Sequence, residues 1–195
     1  MGAAVDCETI GPGLLGQPVN SVTSLALVVA GAVVLSRSRD LWMSTALVAT
    51  GIGSFLFHGP LAPGGEWIHD VTLAWLIAVV VVRAAERPES WAPMALMTIG
   101  VIFLAAPSLA RPITGALTLV AIIAAVRGGP RRVTLPPLGL LGASAIVGRM
   151  GATDKPWCDP ESVLQTHGLW HVGAATAVAW WLLGSTRIPS TDTRP

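Results

Sequence analysis

Seven apolar runs, each closed off by charge, proline or glycine, constrain this chain more than any other feature. They cover residues 21–35, 41–57, 67–82, 91–106, 113–126, 136–147 and 163–183. A helix that spans a bilayer needs about 20 mostly apolar residues, so the shorter runs require tilt, irregular ends or burial among neighbours. The sixth run is the weakest. Hydrophobic residues make up 52% of the 195 positions and charged residues only 12%, a balance unlike that of a water-soluble domain. The expected fold is therefore an all-α integral membrane protein, a seven-helix bundle. It forms one catalytic domain over residues 1–186, followed by a disordered cytoplasmic tail over 187–195. No basic region precedes an apolar core at the N-terminus, so no cleavable signal peptide is expected. The formal net charge of +1 suggests no nucleic-acid partner. The expected partners are the bilayer and a lipid within it.

Basic residues orient the bundle. With seven spans, one side carries Arg111, Arg149 and Lys155. The other carries Arg37, Arg39, Arg83, Arg87, Arg127, Arg131, Arg132, Arg187 and Arg194. Cytoplasmic loops hold the excess of basic residues, which places the N-terminus outside and the C-terminus in the cytoplasm. Cys7 precedes the first run and Cys158 the seventh, so both fall on the outer side. In an oxidising compartment they form a candidate disulfide; two unrelated thiols remain the alternative.

The chemistry-bearing residues fall near the same boundary. His167 and His171 stand at i and i+4, on one helical face and about 6 Å apart, close enough to share a metal ion. His58 ends the second run and His69-Asp70 opens the third. Three imidazoles with a fourth position open suit a catalytic Zn²⁺, which polarises a carbonyl and lowers the pKa of bound water to about 7. Softer metals and Fe²⁺ also accept imidazole. His58 is the preferred third ligand, because His69 points to a different helix face from its neighbour Asp70. Asp70 is the candidate general base; its alternative role is to cap the third helix. Ser54 lies one turn before His58 on the same face, placed either to hydrogen-bond the metal water or to bond back to its own helix.

Taken together, Gly51-x-Gly53-Ser54-x-x-x-His58, Asp70 and His167-x-x-x-His171 resemble the alkaline ceramidase family, within the seven-helix CREST superfamily of membrane metal hydrolases. Asp6-Cys7-Glu8, Gln17-Pro-Val-Asn20-Ser-Val and Trp157-Cys158-Asp159 extend the likeness. It implies that His58, His167 and His171 hold zinc while Ser54 and Asp70 handle the water and the developing charge. It also implies a Cys7–Cys158 disulfide and cleavage of a ceramide-like amide, with a lipid ester as the alternative substrate. In eukaryotic members an acidic N-terminal motif binds calcium. Here Gln17 stands where an acidic residue is expected, which counts against calcium and leaves Asp6, Glu8 and Asn20 as a weak candidate site. The abundance of Ala, Gly, Val and Arg, with one Lys and no Tyr, suggests a GC-rich bacterial source, and hence a plasma-membrane location with the site facing out. Such bacteria often lack sphingolipids, which leaves ceramide itself open. The rival readings are the progestin and adipoQ receptor branch of the same superfamily, a metal-stabilised receptor without hydrolase activity, and a metal transporter.

Overall fold

The computed structural model describes residues 3–185; the tail expected over 187–195 lies outside the described residues. After a short 3-10 turn at Ala3–Asp6 come seven α-helices: α1 Pro18–Ser38, α2 Leu41–His58, α3 Gly65–Ala84, α4 Trp91–Ala105, α5 Ala110–Gly128, α6 Arg131–Met150 and α7 Thr166–Ser185. A second 3-10 turn, Pro107–Leu109, leads into α5. No strand occurs among the described residues.

Each apolar run becomes a helix, with boundaries set by chemistry at its ends. Pro18 opens α1, where its missing N–H costs nothing because first-turn amides have no helical partner. Asp40 caps α2 by accepting a hydrogen bond from the Met43 amide at 3.0 Å. The weak sixth run grows into a full helix of 20 residues that contains Pro136 and Pro137. The seventh shortens instead. Val163 and Leu164 are 81% and 71% exposed in the preceding loop, and α7 begins at Thr166.

Five segments are long and apolar enough to cross a membrane: Pro18–Ser38, Leu41–His58, Gly65–Ala84, Pro107–Gly128 and Arg131–Met150. Helix α4, at 15 residues, falls short by length. Large apolar side chains face outward at helical spacing, in stripes Val22, Leu25, Val29 and Val33 on α1 and Met94, Met97, Val101 and Leu104 on α4. A soluble monomer rarely exposes such stripes, whereas a bilayer solvates them.

The site is framed by α1, α2, α3 and α7. Close approach of small residues sets their spacing, as expected where helices gain little from burying oil against oil. Gly51 lets α2 meet α1: a Cβ there would lie 3.0 Å from the Ser24 carbonyl oxygen. Gly53 does the same toward α3, where a Cβ would lie 3.2 Å from the Ile68 carbonyl oxygen. The two glycines before Ser54 thus wedge α2 between both neighbours and fix where Ser54 and His58 point.

Candidate metal centre

The end of α2 and the first turns of α7 bring His58, His167 and His171 together. One ligand atom from each lies within 4.8 Å of the others. Ring centroids stand 5.1 Å apart for His58–His167, 5.4 Å for His58–His171 and 4.6 Å for His167–His171. Among the described residues this is the one cluster of three such ligands that can hold a metal ion. His58 and His171 are buried, and His167 is 19% exposed. His69 lies outside the cluster, stacked on Phe57, with its ring 6.3 Å from that of His58.

Each of the three rings is held at Nδ1 by an oxygen from the N-terminal arm or the first turns of α1. Gln17 donates its side-chain N–H groups to the carbonyls of Ala3 and Glu8, at 2.9 and 2.8 Å. Its Oε1 must therefore be the acceptor in the 2.7 Å contact with His58 Nδ1. The proton then sits on Nδ1, and the buried Nε2, which has no partner in the protein, keeps its lone pair. Asp6 places a carboxylate oxygen 3.4 Å from His167 Nδ1. Thr23 and Ser24 donate their hydroxyl hydrogens to helix carbonyls, so they face His171 Nδ1 as acceptors at 3.2 and 3.5 Å. In all three rings the proton then lies on Nδ1 and Nε2 keeps its lone pair, a form able to ligate a metal; His171 Nε2 stands 3.3 Å from Ser54 Oγ. An oxygen acceptor on the far nitrogen is the usual partner of a ligating histidine. The donor set and the orphaned Nε2 of His58 fit a borderline metal such as zinc.

Ser54 is 1% exposed, with its hydroxyl 2.8 Å from Ser24 Oγ and 3.3 Å from His171 Nε2. Because the Ser24 hydrogen goes to the Asn20 carbonyl, Ser54 is the donor of that pair. Asp70 instead pairs with His69, Oδ1 to Nδ1 at 3.0 Å, and faces a cavity of about 630 Å³ shared with Glu66, Trp67 and Arg111. The carboxylate in contact with a cluster histidine is Asp6. Burial pushes the Asp6 carboxyl up to about 6, against the opposing pull of His69 and Arg111. His167 opens on a second cavity, of about 790 Å³.

The arm that carries these oxygens is stitched to the loop before α7. Cys7 and Cys158 form a disulfide with their Cα atoms 5.6 Å apart. The Cys7 amide donates to Thr153 Oγ1 at 3.1 Å, and the Thr9 amide to the Pro160 carbonyl at 3.2 Å. Cys7 itself takes a left-handed backbone, φ 72°, which a non-glycine residue holds only under such restraint. The three calcium candidates are turned to separate tasks. Asp6 faces His167, and Glu8 caps α1 by accepting from the Val19 and Asn20 amides at 2.7 and 2.8 Å. Only the buried Asn20 amide has neither polar atom partnered, and one neutral ligand is far from the six or so oxygens that calcium takes.

Sequence reasoning gathered the three histidines and Ser54 but missed Gln17, Thr23 and Ser24 as their supports. Position gave one hint: Thr23 and Ser24 sit in the first turns of α1, and Gln17 just ahead of it, on a helix that must pass beside the histidine end. No protein-family model matches the chain, and no curated protein matches it. The functional reading rests on the geometry.

Proposed function

We propose that the chain is a zinc-dependent membrane hydrolase that cleaves an acyl amide of lipid type, of the alkaline ceramidase kind. The observation that carries this reading is the trio of His58, His167 and His171, each with an oxygen facing Nδ1, which leaves the Nε2 lone pairs for a metal. A structural zinc closes its coordination with four protein ligands, whereas three histidines beside an open cavity keep one position for water or substrate. Zinc held there supplies Lewis acidity, polarising a carbonyl and acidifying water.

The chain's own residues do the rest. Gln17, Asp6, Thr23 and Ser24 hold the ring orientations. Ser54 stands beside the cluster, and its hydroxyl hydrogen, given to Ser24 Oγ in this structure, would have to turn from Ser24 to reach a carbonyl oxygen that gathers negative charge. Asp70, paired with His69 at 3.0 Å, is the candidate to accept the water's proton at its carboxylate before that proton goes to the departing amine. An acyl chain finds an apolar path below. Ala145, at the rim of the His167 cavity, is followed one and two turns down α6 by Leu141 and Leu138. Those two line a small, largely apolar cavity of about 90 Å³ with Thr118, Ala177 and Val178, roughly 15 Å further along α7 than His167 at 1.5 Å per residue. The described basic residues number seven at the far end (Arg37, Arg39, Arg83, Arg87, Arg127, Arg131, Arg132) and three at the histidine end. By the positive-inside tendency we place the site on the outer face of a bacterial plasma membrane.

Metal analysis of the purified protein, paired with fatty-acid release from ceramides, N-acyl amino acids and phospholipids, tests this reading. The expected result is zinc near one equivalent and hydrolysis confined to amides. His171→Ala should lower both to background while leaving expression and membrane insertion intact. Full hydrolysis by that variant would end the zinc-hydrolase reading.

A further inference from the structure

The cavity that opens on His167 gathers every basic side chain at the histidine end of the described bundle. Arg111 lies in the first turn of α5, Arg149 in the last turn of α6, and Lys155 in the loop before α7. These positions are far apart in sequence, yet all three line one space with the metal-cluster histidine. Two carboxylates, Asp6 and Asp154, share the lining. Asp6 is turned to His167 at 3.4 Å. The remaining lining, Val5, Ala145, Gly148, Ala152 and Trp170 with Thr153, is small or apolar. Basic residues that served only to hold lipid headgroups would be spread around the rim. Across Arg111, the neighbouring cavity has the opposite balance, with Glu66 and Asp70 against that one arginine.

A neutral lipid amide has no group that calls for three cations beside its scissile bond. Guanidinium forks match carboxylate and phosphate oxygens two at a time, and an ammonium adds a point charge. All three side chains are exposed, so their attraction for an anion is open to screening by salt. We propose that the amide substrate carries an anionic group, a carboxylate or a phosphate, on its amine side, and that Arg111, Arg149 and Lys155 bind it. This rests on the hydrolase reading of the metal site. Hydrolysis adds one water across the amide: the C–N bond breaks and a C–O bond forms. The products are a fatty acid and an amine that keeps the anion. The cations thus hold the part that leaves, while the apolar seam holds the acyl chain.

The test offers zinc-loaded full-length protein, in phosphatidylcholine nanodiscs, three amides with one acyl chain: N-lauroylglycine, N-lauroylethanolamine phosphate and neutral N-lauroylethanolamine. Laurate release and equilibrium binding are both measured. An anionic amide should lead the neutral one by about tenfold or more in kcat/KM and in affinity, the scale of one charge-assisted hydrogen bond. The lead should appear in KM and shrink with added salt. The combined variant Arg149→Gln/Lys155→Gln, with its zinc content verified, should bring the ratio toward one. Which anion leads identifies carboxylate or phosphate as the recognised group. Equal cleavage and equal binding of all three would overturn the anion inference and leave the hydrolase reading standing. Selective binding of an anionic amide without cleavage would do the reverse. Neither cleavage nor charge preference would remove both.

Discussion

At the histidine end, long irregular segments meet: the N-terminal arm, the turn after α2, and the loop from Gly151 to Gln165. They bury Gln17, Asn20, Ser24, Ser54, His58 and His171. At the opposite end the connections are tight. Arg39 turns α1 into α2 in a left-handed conformation, and Gly129-Pro130 turns α5 into α6. Among the polar contacts there, Asp40 accepts from the Met43 amide and pairs with Arg83 at 2.7 Å, and Arg83 also meets Glu89 at 3.8 Å. The far end closes those two turns within a few residues. The histidine end has a long-range clasp, because the Asp6 carboxylate that faces His167 enters on the N-terminal arm ahead of α1.

Breaking the clasp should have the largest effect on stability. Cys158→Ser, or reduction of the bridge, is expected to cost about 2–5 kcal/mol, since the bridge closes a loop across 151 positions. Thermal unfolding with and without reductant measures this, and bound metal should fall in parallel. An unchanged metal content would show that the arm stays docked without its disulfide.

Asp6→Asn should give effects of opposite sign with and without metal. Its carboxyl is raised to about 6 by burial, so the folded chain holds that proton more tightly than the unfolded chain does. The contribution to folding is thus full below the ordinary carboxyl range and is lost as pH rises through about 6. At pH 8 the ionised, 13% exposed side chain costs up to about 3 kcal/mol in metal-free protein. Asn removes that cost, so the metal-free variant should melt higher at pH 8 yet bind zinc more weakly. A lower melting temperature at pH 8 would contradict the burial argument.

Gln17→Leu removes the oxygen facing His58 Nδ1. Zinc affinity, read by chelator competition, should drop by about 10- to 100-fold, the usual effect of losing a ligand's outer partner. Asp40→Ala is the control at the other end. It should lower stability by about 1–2 kcal/mol through loss of the α2 cap and of the partner of Arg83, with zinc affinity unchanged. If Asp40→Ala weakened zinc binding as strongly as Gln17→Leu, the two ends would be coupled after all.

Most of the bundle was legible because apolar runs and breakers are local signals. The sixth run was read too short: its prolines sit inside the helix, near an arginine-rich end where water can satisfy the freed carbonyls. The seventh was read too long, since Val163 and Leu164 are apolar but face outward from a loop. In the site, the i, i+4 spacing of His167 and His171 identifies a pair by itself, and alternation of helix direction brings His58 to the same boundary. Gln17 carries no such mark. Its role depends on two carbonyls, of Ala3 and Glu8, that fix which end of its amide faces His58. Asp70 was placed at the correct boundary, but periodicity could not foresee that Asp6, rather than Asp70, would face His167.

The sequence by itself determined the long apolar helices and the gathering of three histidines at one end, because hydropathy and helical period act through neighbours a few residues apart. Tertiary structure alone decided which nitrogen each ring presents, and how the arm, the clasp and three distant cations converge on one cavity. Those outcomes depend on hydrogen-bond partners and packing between segments as many as 151 residues apart, a distance over which no local pattern carries information.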